Sequence, residues 1–75
     1  MKIMKIKYDY SKLRGLIIEK FKSLDNFADV LPMGRTTLNN KLQSYNYFTQ
    51  IEIETICEIL QIAKEDRNAI FFTRE

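Results

Sequence analysis

The segment Arg35-Thr36-Thr37-Leu38-Asn39-Asn40-Lys41-Leu42-Gln43 carries the residues best suited to recognition chemistry. Read as a helix at 100° per residue, it turns Leu38 and Leu42 inward. Thr36, Asn40 and Gln43 then point outward. Arg35 and Asn39 flank them on one side, Thr37 and Lys41 on the other. An ordinary solvated helix face carries Glu and Lys at i, i+4. This one holds no acid. Asn and Thr are only moderate helix formers, so helix propensity does not account for them. Asn and Gln pair bidentately with adenine, Arg pairs with guanine, and Thr packs on the thymine methyl. The competing reading is a plain polar face.

Other chemistry is poorly supplied. The chain has no His, which excludes Ser-His and Cys-His pairs. One Cys and no His cannot build a zinc site. There is no Gly-rich phosphate loop. Glu52 and Glu54 fall on different sides of a helix and read as solvated charges. Cys57 lies on an expected apolar face and is expected in the core. Neither catalysis nor a metal, cofactor or small-molecule ligand is expected, so the chain does not read as an enzyme.

The elements that must position that segment are constrained by size. At 75 residues the chain should form one domain. Such a domain buries only about 60% of its unfolded surface, so pairing with a second copy would help it. Apolar residues at 45% and charged residues at 29% describe a globular chain. Two Gly and one Pro are too few for the turns of a β-sandwich or barrel, which favours helices. A single Cys excludes an internal disulfide and fits a reducing cytoplasm. No apolar run approaches the roughly 18 residues of a membrane span, and no signal peptide is evident. Residues 1–48 hold nine Lys/Arg and four Asp/Glu, a net +5, whereas residues 49–75 hold three and six, a net −3. One half could face a polyanion while the other faces away.

Residues 1–8 read as a basic arm or a short strand, and residues 9–75 as the domain. Ile6, Tyr8 and Tyr10 alternate with Lys7 and Asp9, a strand period. A lone strand needs a partner, for which a second chain is the candidate. A flexible basic arm is the alternative, and Met4 is a second candidate start. A first helix is expected over 10–22, capped by Asp9, with Tyr8 and Leu13 as its staple. Leu13, Leu16, Ile17 and Phe21 form its apolar face. Gly15 either weakens it or admits a close neighbour. A second helix is expected over 24–30, capped by Ser23, with Asp25 at the positive end of its dipole. Pro32 stops it. The third runs from 35 to 43 or 44, with Gly34 as N-cap. Thr49 and Glu52 form a capping box, with Phe48 and Ile53 as the staple, and open a fourth helix that runs to 60 or 61. Its stripe is Ile53, Ile56, Cys57 and Leu60. A last short helix is expected over 64–71.

The run 23–38 resembles the helix-turn-helix of the lambda-repressor/Cro family, also called Xre-like. Ala28, Met33 and Leu38 match that pattern's small residue, apolar residue after the turn and apolar recognition-helix residue. The likeness extends through the five-helix layout over residues 9–72. Pro32 stands where the family usually has Gly, and Gly34 where it often has Ser or Thr. Gly34 is therefore expected to supply the turn's positive φ. Lys41 stands where an apolar residue is frequent, with Leu42 expected to fill the space.

The resemblance implies an all-α, lambda-repressor-like domain that binds double-stranded operator DNA and regulates transcription, repressor-fashion. It implies a phage or prophage product at the nucleoid of a bacterial cytoplasm. Carried over by position, Arg35, Thr36, Asn39 and Asn40 would read bases. Thr37, Lys41, Asn26, Asn46, Tyr47 and Lys22 would contact phosphates. Lys2, Lys5, Lys7 and Lys12 would add basic surface. A homodimer is expected, with Ile70, Phe71 and Phe72 as candidate contacts; simple docking onto the core is the equal alternative. The rival function is a helical protein-interaction module, such as an antirepressor or assembly factor.

Overall fold

Helix ends follow local side-chain chemistry. Ser23 Oγ accepts a hydrogen bond from the Asn26 N–H (3.1 Å) and starts a helix. Thr49 and Glu52 exchange hydrogen bonds, 3.1 Å to the Thr49 Oγ1 and 2.8 Å to the Glu52 Oε1, forming the expected capping box. Asp9 acts otherwise than expected. The first helix is capped by Tyr10 without a side-chain bond. Asp9 Oδ1 instead accepts from the backbone N–H (2.9 Å) and hydroxyl of Ser11, an Asx turn that leads into the helix.

A computed structural model describes residues 7–75. The described chain is all-α. Its helices are α1 (Ser11–Phe21), α2 (Leu24–Asp29), α3 (Arg35–Leu42), α4 (Gln50–Leu60) and α5 (Arg67–Phe71), with a 3₁₀ turn at Lys64–Asp66 before α5. α1 packs against α2, α4 and α5, and α2 packs against α3. None of the helices is long and apolar enough to cross a membrane.

The core is continuous. Leu13 and Ile17 of α1, Phe27 and Ala28 of α2, Leu38 and Leu42 of α3, and Ile56, Cys57 and Leu60 of α4 are all buried. These are the expected apolar faces. Cys57 is a buried free thiol within that core. Tyr10, Phe48 and Phe71 close one end, their rings edge to face at centroid distances of 5.5, 5.7 and 6.5 Å. Burial, assisted by the neighbouring Tyr8 and Tyr47, pushes the Tyr10 hydroxyl up to about 12. It is protonated at neutral pH.

Ile70 and Phe71 belong to this core, at 7% and 1% exposure. As dimer contacts they are corrected: α5 turns both onto the monomer's own interior. Of that run only Phe72 is exposed.

The strand expected near the N-terminus does not form among the described residues; an isolated bridge to the C-terminal segment stands in its place. Tyr8 and Arg74 form an isolated antiparallel bridge. The Asp9 N–H donates to the Thr73 carbonyl (2.7 Å) and the Glu75 N–H to the Lys7 carbonyl (3.1 Å). The Tyr8 N–H is taken by Ser44 Oγ (3.2 Å), which secures the segment against the loop after α3. Ser44 is buried for this purpose and adopts a left-handed backbone with φ 64°. The alternation at Ile6, Met4 as a start, and the basic Lys2 and Lys5 lie outside the described residues.

Gly15 admits no close neighbour. A methyl group there would meet nothing within 4 Å, and its φ is not positive. Gly15→Ala should therefore stabilise the protein by about 1 kcal/mol, because Ala restricts the unfolded chain at no steric cost. Thermal melting should shift upward by about 4–8 °C. An unchanged or lowered midpoint would show that α1 needs the glycine.

Candidate nucleic-acid interface

α2 and α3 set the interface. The corner between α1 and α2 is held by Ser23 and by Asn26, whose Nδ2 donates to the Phe21 carbonyl (2.8 Å). α2 ends in a tightened turn, with the Val30 and Leu31 N–H groups bonding back to Phe27 and Ala28 (both 3.1 Å). The link to α3 uses no left-handed residue. Gly34 is extended, with φ −78° and ψ 171°, and is the N-cap of α3. The expected positive φ at Gly34 is thus corrected. Pro32 fits the link because nothing there demands that conformation.

α3 turns Leu38 and Leu42 into the core. Arg35, Thr36, Thr37 and Gln43 are exposed, and Asn39 and Asn40 are half-buried. Among the described residues, the side chains of Thr36, Thr37, Asn39, Asn40 and Gln43 make no hydrogen bond within the chain. Their donors and acceptors remain available to a partner. The four expected base-reading residues are therefore brought onto one helix, two fully outward and two at its shoulder.

Arg35 is not alone. Its Nη1 lies 2.5 Å from Asp25 Oδ1, an ion pair between the first turns of α2 and α3. Sequence reasoning placed Asp25 only at its helix dipole. The signal that could have found the pair is weak, since it spans ten residues and a turn.

A model described as "Protein of unknown function (DUF739)" matches residues 6–74. The chain belongs to the DUF739 family. No curated protein matches it.

One expected phosphate contact does not hold in this DUF739 chain. Lys41 is buried, with its side chain only 11% exposed. Its Nζ bonds Glu52 Oε1 (2.6 Å) and the Tyr47 carbonyl (3.3 Å) and lies 6.0 Å from the Phe48 ring centroid. The physical reason is its position: Lys41 follows Leu38 by three residues and lies next to Leu42, so it shares their inward side. An ammonium there must be paired. Asn26 is exposed, with its amide nitrogen donating to the Phe21 carbonyl at the end of α1. Thr37, Asn46, Tyr47 and Lys22 remain exposed. The Tyr47 ring also packs edge to face on Tyr8, with centroids 6.0 Å apart. Lys7 and Lys12 are exposed as well.

Glu52 is the joint between the site and the scaffold. One carboxylate oxygen completes the α4 capping box and holds Lys41 of α3. Burial opposes its charge, but the Lys41 and Thr49 hydrogen bonds and the ammonium charge outweigh burial and hold its carboxyl below the ordinary 4.5. A carboxylate depressed in the folded state contributes stability that is fully present above its unfolded value. That contribution is lost as pH falls through the lower folded value. Glu52→Gln should therefore cost about 1–2 kcal/mol at neutral pH. The gap between the two proteins should close as pH falls below 4.5. Denaturant titrations at pH 7 and at acid pH test this. A gap that is constant across pH would mean that the ion pair contributes nothing.

Proposed function

We propose that this protein is a sequence-specific, double-stranded DNA-binding regulator of transcription that lays α3 in the major groove. The observation that carries the reading is the outer face of α3: exposed at Arg35, Thr36, Thr37 and Gln43, half-buried at Asn39 and Asn40, free of acids, and furnished with amides and hydroxyls that bond nothing within the chain. Leaving several such groups unpaired on one helix face is what base-edge recognition requires. The short α2 and tight link present that face much as in the helix-turn-helix resemblance noted above.

Arg35, Thr36, Asn39 and Asn40 are the base-reading residues of this proposal. Thr37, Lys22 and the Asn46/Tyr47 loop supply phosphate contacts, which fix register without reading sequence. With Lys41 engaged by Glu52, the cationic contribution is smaller than the charge count suggests. The salt dependence should accordingly be shallow for a regulator, since its slope follows the number of phosphates neutralised.

One such module reads too few base pairs to find a site in a genome, so the proposal includes a homodimer on a two-fold operator. The setting it carries is a bacterial cytoplasm, at the nucleoid, for a phage or prophage product that acts by occupying its site and blocking polymerase or a rival.

The test is selection of bound sequences from random duplex DNA by mobility shift, at two salt concentrations. Enrichment of a palindrome, with binding weakened at higher salt, is the expected result. Absence of any binding at low salt would overturn the proposal and favour a protein-interaction module instead.

A further inference from the structure

We infer that Asp25 is a positioning residue for Arg35, fixing its guanidinium so that one edge reads a guanine in each half-site; this rests on the DNA-binding reading above. Asp25 Oδ1 takes the Arg35 Nη1. A guanidinium has five N–H donors in a planar fork. Engaging Nη1 leaves the edge formed by Nε and Nη2, whose two parallel N–H groups match the O6 and N7 acceptors of guanine.

Place in the fold supports the assignment. Arg35 is the first residue of α3 and Asp25 lies in the first turn of α2. Two helices packed on each other thus define the guanidinium from both ends, one through its aliphatic stem and one through the carboxylate. Arg carries large rotamer freedom, which a base contact must otherwise remove at the moment of binding. A pre-held guanidinium avoids that cost.

Stability does not explain the pair. Its side chains are 45% and 71% exposed, and an ion pair that open to water adds little to folding. Asp25 also lowers the positive charge of this face, which works against plain phosphate attraction. A carboxylate kept at that point makes sense where orientation matters more than charge.

The experiment compares the wild type with Asp25→Ala, Asp25→Glu and Arg35→Ala, each selected against random duplex DNA, with folding checked by circular dichroism. The wild type should select one guanine in each half-site. Arg35→Ala should lose that preference. Asp25→Ala should bind the same operator but with guanine discrimination at that position reduced by about fivefold. Asp25→Glu, which restores the carboxylate, should recover most of it. A purely structural Asp25 would lower affinity at all positions alike and leave the preference profile unchanged. That profile, or an unaltered guanine preference in Asp25→Ala, would overturn the inference while leaving the DNA-binding reading intact. Failure of the wild type to bind any duplex would overturn both.

Discussion

Phe71→Ala is expected to cost about 3–5 kcal/mol, the largest loss of stability among the substitutions considered. Phe71 is 1% exposed and meets Tyr10 and Phe48 edge to face. Its removal leaves a void that the two remaining rings cannot fill without losing their own contacts. A domain of this size has only about 4–11 kcal/mol of total stability to lose. Urea unfolding of the variant beside Phe72→Ala makes the comparison sharp. Phe72 is 47% exposed, so its truncation should stay within about 1 kcal/mol. If instead Phe71→Ala kept its stability and changed only the association state, α5 would have to be an interface rather than part of the core.

The second large effect concerns α3. Arg35→Ala and Asn40→Ala should each weaken binding to the selected operator by about tenfold to a hundredfold, the value of one bidentate base contact. Binding to unrelated duplex should change far less for Asn40→Ala, which removes no charge. Both proteins should remain folded, because Arg35 is exposed and Asn40 has no intramolecular side-chain bond among the described residues. Affinity titrations on operator and scrambled duplexes separate the two quantities. Preserved operator affinity in both variants would remove α3 as the reading element.

Some of this architecture is written locally and can be read locally. The Thr49–Glu52 box and the Ser23 cap each lie within a single turn, so residue types alone specify them. The apolar stripes of α1, α2 and α4 are equally plain, since periodicity records which side faces inward. Lys41 shows where that stops. Its helical angle put it on the flank of the outward face, and only the departure from an apolar residue at that position marked it. Its partner Glu52 lies eleven residues on, beyond a loop, and nothing local points to it. Arg35 and Asp25 repeat the case: the types were legible, the pairing was not.

The ends of the chain were harder still. An alternating segment and an apolar tail look alike whether they meet each other or a second molecule. The backbone decides it: Lys7 to Asp9 pair with Thr73 to Glu75. Gly34 misled for a different reason. Glycine permits a left-handed turn without requiring one, and here the chain spends its positive φ angles on Lys22, Ser44 and Gln61 instead.

The bridge that joins Lys7 to Glu75 brings the first and last described residues within one hydrogen bond of each other. Topologically, the domain is almost a closed ring. A short peptide linking Glu75 to Lys7 would span a negligible gap, so the order in which the helices are synthesised could be permuted around the circle while their packing stays the same.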